Sequence, residues 1–224
     1  MTTRIRLVLS LTAVLIVAGV FAPERSCAQN PEIPPNGYVP PIYGEKLEHY
    51  CSHPNERLVV VTKQGTMKIQ LFDKIAPNHV AQILRLAKGG WYDSTTFQRI
   101  IPWFMIQNGD PKTKHGSYQK GFSADVPRLK AEFNEVHHVR GIRSMARVPQ
   151  DSNSASAAFF IVHSNSLFLD RNYTVWGQVT EGIETVDKVV NLKDAVGHTP
   201  EQIKSWGADP GRESEIYRAY VEGK

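Results

Sequence analysis

Apolar and polar positions follow a two-residue period most clearly between residues 58 and 72. Leu58-Val59-Val60-Val61-Thr62 is a β-branched run, Gln64-Gly65 is a turn signal, and polarity alternates from Met67 to Leu71. This pattern predicts a hairpin. The period then lengthens. Pro77 suits a first helical position, Val80, Ile83, Leu84 and Ala87 recur at i, i+3, i+4 and i+7, and Gly89-Gly90 ends the series. The result is a helix with one apolar stripe, to be laid on a sheet. Strand character returns at residues 97–101 and 104–107. Pro102 divides them and argues for a break or bulge rather than one continuous central strand. Residues 110–130 are polar and read as a long loop. Residues 141–146, 158–162 and 173–179 read as further strands. A second helix is expected over 183–190, with Ile183, Val186, Val189 and Val190 on one face. The stretch 191–214 is polar and irregular, and residues 216–221 are the best candidate for a closing strand. Many short strands with two helices predict a mainly β domain, a closed antiparallel barrel capped by helices.

The ends of the chain are organised differently. Arg4 and Arg6 precede an apolar run from Leu7 to Val20, and Ser26-Cys27-Ala28 offers small residues at the positions a signal peptidase reads. The run is shorter than the ~20 residues that span a bilayer, so residues 1–28 are expected to be a cleaved secretory signal rather than an anchor. Cleavage there leaves Cys51 without an internal disulfide partner. Residues 29–56 carry prolines at 31, 34, 35, 40, 41 and 54 and few aliphatic side chains. They read as an extended arm of polyproline character. The folded domain is expected over 57–224.

Charge adds little. The formal net charge is +4, and half of the excess comes from Arg4, Arg6 and Arg25 set against Glu24 in the leader. No Lys/Arg run is present, which argues against a nucleic-acid partner. There is no G-x-S-x-G elbow, H-E-x-x-H helix, P-loop or dinucleotide-binding glycine pattern. His49, Cys51 and His53 are closely spaced but lack an obvious fourth ligand, so no metal and no cofactor is expected. His137 and His138 are adjacent, and on a strand they would face opposite sides.

The informative segment runs from Tyr92 to Pro111: Tyr-Asp-Ser-Thr-Thr-Phe-Gln-Arg-Ile-Ile-Pro-Trp-Phe-Met-Ile-Gln-Asn-Gly-Asp-Pro. Arg99 stands among apolar residues, where an unpaired charge is costly. Either it pairs with a carboxylate at a barrel rim, or it is a donor aimed into an apolar groove. The segment resembles the signature of the cyclophilins, Phe-His-Arg followed by Ile-Pro-x-Phe-Met-x-Gln and Gly-Asp. Residues 154–161, Ser-Ala-Ser-Ala-Ala-Phe-Phe-Ile, resemble the family's Ser-Gln-Phe-Phe-Ile strand, and Ser144-Met145-Ala146 fits the strand before it. Phe168-Leu169-Asp170 and residues 173–182 resemble its Leu-Asp turn and Phe-Gly-x-Val-x-x-Gly strand. The blocks fall in the family's order over residues 58–190.

The resemblance implies an eight-stranded antiparallel barrel with two capping helices and peptidyl-prolyl cis-trans isomerase activity. It places Arg99 as the catalytic residue. Phe104, Met105, Gln107, Ala146, Arg147, Phe160, Phe168, Leu169 and Tyr173 would bind substrate, with Phe104, Met105, Phe160 and Leu169 around the proline ring. The expected partners are proline-containing proteins met by a monomer in the periplasm or outside the cell, without membrane insertion after signal cleavage. Four positions depart from the pattern. Gln98 stands for the family's His, Ala158 for its Gln, and Tyr173 and Phe168 for a frequent His and Trp. Loss of the Gln at 158 raises a second reading, a barrel that binds proline-containing segments without useful turnover, and Arg147 is a candidate to replace the lost contact.

Overall fold

The computed structural model describes residues 45–114, 126–192 and 212–223. The expected leader, the first part of the arm and much of the stretches 110–130 and 191–214 lie outside these residues.

Helix α1 (Glu45–Glu48) precedes the hairpin of β1 (Arg57–Thr62) and β2 (Gly65–Leu71), which pair from Arg57↔Gln70 to Thr62↔Gly65. Helix α2 (Pro77–Lys88) begins on Pro77 and buries Val80, Ile83, Leu86 and Ala87. Then come β3 (Thr95–Thr96), β4 (Arg99–Ile101), β5 (Met105–Asn108), β6 (Ile142–Met145), β7 (Phe159–Val162), β8 (Val175–Glu181), α3 (Glu184–Val190) and β9 (Glu215–Glu222). The sheet order is β3-β9-β1-β2-β8-β6-β7-β5-β4, and its neighbours are antiparallel. The expected closing strand is β9, which pairs with β1 along its length.

The two ends of this sheet are halves of one interrupted strand. Only Phe97 and Gln98 separate β3, which pairs with β9, from β4, which pairs with β5. With its amide NH2 turned inward, Gln98 donates to Thr96 O (3.3 Å) and Gln107 O (3.0 Å) across the break. Counting β3 and β4 as one strand gives the eight of the expected barrel.

Pro102 does not make a bulge. It is the second residue of a tight turn between β4 and β5, closed by Phe104 N–H donating to Ile101 O (3.1 Å). Trp103 follows it with φ of +64°. That left-handed position in such a turn favours glycine, and a bulky residue there costs about 1–2 kcal/mol.

The last part of the expected arm is folded. Leu47 and Cys51 are buried, and Tyr50 stacks against Phe72 with ring centroids 5.3 Å apart. Ser52 N–H donates to Asp73 Oδ1 (2.6 Å) and Lys74 N–H to Tyr50 O (3.0 Å). Tyr50 and Cys51 follow the helix in a turn whose N–H groups both donate to Leu47 O (2.9 and 3.0 Å), which gathers the three side chains on one side.

Strand alternation sorts side chains onto two faces. Ile106, Phe159, Ile161 and Trp176 join Leu58, Val60, Met67, Ile69, Ile216 and Ala219 in the barrel interior. Met105, Phe160, Val162, Ile142 and Val175 turn the other way and gather with Phe72, Leu169, Leu47 and Cys51. The second cluster carries the candidate site.

Candidate active site

Register assembles the groove. Arg99 on β4 lies opposite Gln107 on β5, Gln107 opposite Phe160 on β7, and Phe160 opposite Ser144 on β6. Facing residues share a side of the sheet about 4.5–5.5 Å apart. Arg99, Gln107, Phe160 and Ser144 therefore form one row across four strands. A parallel row places Met105 opposite Val162. The turn Leu167–Leu169 brings Phe168 and Leu169 over this surface, and the segment after β6 brings Ala146 and Arg147. All ten sequence-predicted residues line one hollow of about 430 Å³, together with Pro149, which no sequence signal marked.

The floor is apolar and buried. Met105, Phe160 and Leu169 are each no more than 6% exposed. Phe160 meets Tyr173 edge-on (5.6 Å), and Phe104 tilts against Phe168 (5.5 Å) at the mouth. Arg99 stands at the rim with its side chain exposed, and it has no carboxylate or hydrogen-bond partner among the described residues. Among the described residues, the rim ion pair that one reading foresaw is not formed. Arg147 is committed elsewhere. Its Nε donates to Asn172 O (2.7 Å), its Nη1 to Pro149 O (2.7 Å), and its guanidinium lies over the Tyr173 ring (4.6 Å). These contacts brace the wall through Nε and Nη1, while the residue still lines the hollow. Ala158 is half-buried beside the groove, and its carbonyl accepts from Ala146 N–H (2.9 Å).

Behind the Phe160 wall, His137 and His138 do not point apart. Both reach Asp170, His138 through Nδ1 to Oδ1 (2.9 Å) and His137 through Nδ1 to Oδ2. They precede β6 rather than lying on it, so strand alternation does not apply. Burial lowers the His138 imidazole against the opposing pull of Asp170. Burial pushes the Asp170 carboxyl up, but hydrogen bonds from His138 and His137 outweigh it and hold the group below its ordinary range. His138 stacks on Phe160 (6.0 Å), and its Nε2 meets Ser144 Oγ (3.1 Å). This Asp-His-Ser order mimics a hydrolase triad, yet Ser144 is fully buried and donates to Thr174 O (2.7 Å). The relay supports the wall and presents no nucleophile to the groove.

His49, Cys51 and His53 do not converge. Cys51 Sγ donates to Leu47 O (3.3 Å), His53 turns to Asp73 (3.3 Å), and His49 is exposed.

A closed antiparallel barrel carrying a guanidinium beside an apolar groove on its outer face is the architecture of the cyclophilins. The family model "Cyclophilin type peptidyl-prolyl cis-trans isomerase/CLD" matches residues 57–208. The chain belongs to this family. It is 40% identical over 153 residues to a probable peptidyl-prolyl cis-trans isomerase of Brucella suis, covering 65% of this chain and 76% of that one. It is 38% identical over 136 residues to a peptidyl-prolyl cis-trans isomerase of Synechococcus elongatus, covering 61% and 88%. Among solved structures, a Cryptosporidium parvum cyclophilin-type isomerase crystallised in the presence of the dipeptide Ala-Pro superimposes with a TM-score of 0.61 at 27% identity, over 75% of this chain and 99% of that one. Cyclophilin AquaCyp293 from Hirschia baltica gives 0.57 at 26% identity over 80% of each chain.

Proposed function

We propose that the 430 Å³ groove turns X-Pro bonds of exported proteins, with Arg99 as the catalytic group. The carrying observation is a guanidinium with no carboxylate or hydrogen-bond partner among the described residues, in cross-strand register with Gln107 and Phe160, at the edge of a buried apolar floor. The planar amide resists rotation because the nitrogen lone pair is delocalised, with a barrier of ~18–20 kcal/mol. In the twisted transition state that pair localises on the prolyl nitrogen. A donor beside it then forms a hydrogen bond that the planar ground state accepts poorly, which is differential transition-state binding. Met105, Phe160 and Leu169 hold the ring, Gln107 orients the substrate backbone, and the chain before the proline rotates. The leader of residues 1–28 supports export, with the periplasm as the working compartment of a monomer.

Arg99→Ala tests the reading in a protease-coupled assay on an Ala-Pro peptide. One preorganised donor is worth ~3 kcal/mol, so kcat/KM falls about a hundredfold. Arg99 is exposed, so the melting temperature holds. Equal turnover by the variant and the wild type would remove Arg99 from the mechanism.

Ala158 favours a second reading, a barrel that binds proline segments with little turnover. In that case the wild type barely exceeds the uncatalysed rate, and Arg99→Ala changes peptide affinity alone.

A further inference from the structure

A second hollow, of about 480 Å³, opens on the other side of the turn between β4 and β5. The two hollows share this turn as a ridge, with Phe104 facing the groove and Pro102 and Trp103 facing the second cleft. Trp103 holds a left-handed backbone conformation and is 81% exposed. Burial therefore does not offset its conformational cost, and glycine would satisfy the turn without that cost. Strain kept at an exposed aromatic is the mark of a working surface.

The turn is also clamped from beneath. Trp103 N–H donates to His163 Nδ1 (3.0 Å), and His163 N–H donates to Phe104 O (2.9 Å). Because Nδ1 accepts, the ring proton sits on Nε2, which faces Asp187 Oδ1 (3.3 Å). Asp187 Oδ2 pairs with Arg140 (2.7 Å), and Arg140 also donates to His163 O (3.0 Å). The cleft wall is thus a charge-neutralised network with Ser164, Asn165 and Asn191 beside it, and its apolar surface is supplied by Pro102, Trp103 and Val190. Its one guanidinium is spent on Asp187, which disfavours a phosphate-bearing ligand. The rings of Phe168 and Phe104 (5.5 Å), and of Trp103 and His163 (5.8 Å), run from the groove over the ridge into the cleft.

We propose that this cleft is a second subsite for the substrate polypeptide, holding an apolar side chain a few residues from the isomerised proline against the Trp103 indole. The inference rests on the isomerase reading of the neighbouring groove. An extended chain covers ~3.3–3.6 Å per residue, so three to five residues reach about 10–18 Å, the range over which the chain leaving the groove can meet the cleft on the far side of the shared turn. The enzyme would then favour prolines with an aromatic or branched aliphatic neighbour at that distance.

The test compares an Ala-Pro tetrapeptide with two decapeptide sets sharing the same Ala-Pro core, one with Leu or Phe three to five positions to either side and one with Ser there. Isomerisation is followed by exchange NMR in the wild type, Trp103→Gly and Trp103→Phe. One aromatic contact is worth about a three- to tenfold effect. The ratio of kcat/KM for the apolar decapeptides over the tetrapeptide falls by that factor in Trp103→Gly. Trp103→Phe retains part of it, and the glycine variant melts no lower than the wild type. Equal loss on all peptides, or no preference for Leu or Phe over Ser in the wild type, overturns the subsite. If the wild type turns over no peptide, the isomerase reading fails instead. Calorimetric affinity for the same decapeptides then decides the subsite, which survives only if Trp103→Gly weakens the apolar ones selectively.

Discussion

Arg143 lies wholly inside the barrel, its guanidinium 3.8 Å from the Phe159 ring centroid and 4.6 Å from that of Trp176. Its three nitrogens have no hydrogen-bond partner among the described residues, and burial pushes its pKa down to about 9. Cation–π contacts of desolvated groups are worth ~2 kcal/mol each, while a buried ion forfeits several kcal/mol of hydration. Arg143→Met removes the charge at similar volume. It is expected to stabilise the barrel by ~1–2 kcal/mol, read as a higher urea midpoint at unchanged m-value. A lower midpoint would mean that the two rings offset the lost hydration. Neither this residue nor Trp103 was marked as special by the sequence, because polarity patterning does not say which face of β6 closes inward. The groove residues were legible through the resemblance of three sequence blocks to the cyclophilins, since each of those residues taken alone reads equally well as core.

The docked segment around α1 works at the scale of an element. It places Leu47 and Cys51 in the same cluster as Met105, Phe160 and Leu169, beneath the groove. Leu47→Ala is expected to destabilise the domain by ~2–3 kcal/mol, measured by chemical denaturation. A change below half a kcal/mol would return this segment to the status of a passive tether. Burial, and next the Asp73 carboxylate, raise the Cys51 thiol above its ordinary range. A neutral, enclosed thiol reacts slowly, so a disulfide-exchange reagent is expected to label Cys51 in denaturant and hardly at all in the native protein. The sequence concealed this helix because its four residues are too few to show a period against six neighbouring prolines.

For the whole molecule, pH is the simplest probe of these buried groups. His79, His138 and His163 are all lowered by burial. They stay neutral in the fold while the unfolded chain takes up protons near pH ~6.5. The unfolded state then binds more protons, so stability is full above about pH 7 and falls as pH drops through that value toward the depressed folded ones. Asp170 and Glu132 are held low as well, the hydrogen bonds from the histidines and Asn78 outweighing burial. Their contribution is present above the ordinary carboxylate range and is lost as pH falls through their depressed values. Urea midpoints should therefore decline from pH 8 to 5 and more steeply below 4. A flat profile between pH 8 and 5 would show that the three imidazoles titrate alike in both states.

Periodicity alone determined the first hairpin and the long helix of this protein. Leu58 to Leu71 had to be a hairpin, and the stripe of Val80, Ile83 and Ala87 had to be a helix, because each apolar face needs one partner surface. The resemblance of its motifs to the cyclophilins pointed to the groove residues, and strand register in the structure brings Arg99, Gln107 and Phe160 into one row. The tertiary structure alone decided where the barrel closes, through the break at Phe97-Gln98. It also decided that His137 and His138 share Asp170, that Arg143 is enclosed by two rings, and that Trp103 stands exposed on a strained turn. Each of these depends on which distant residues arrive beside a position, and local pattern carries no record of long-range neighbours.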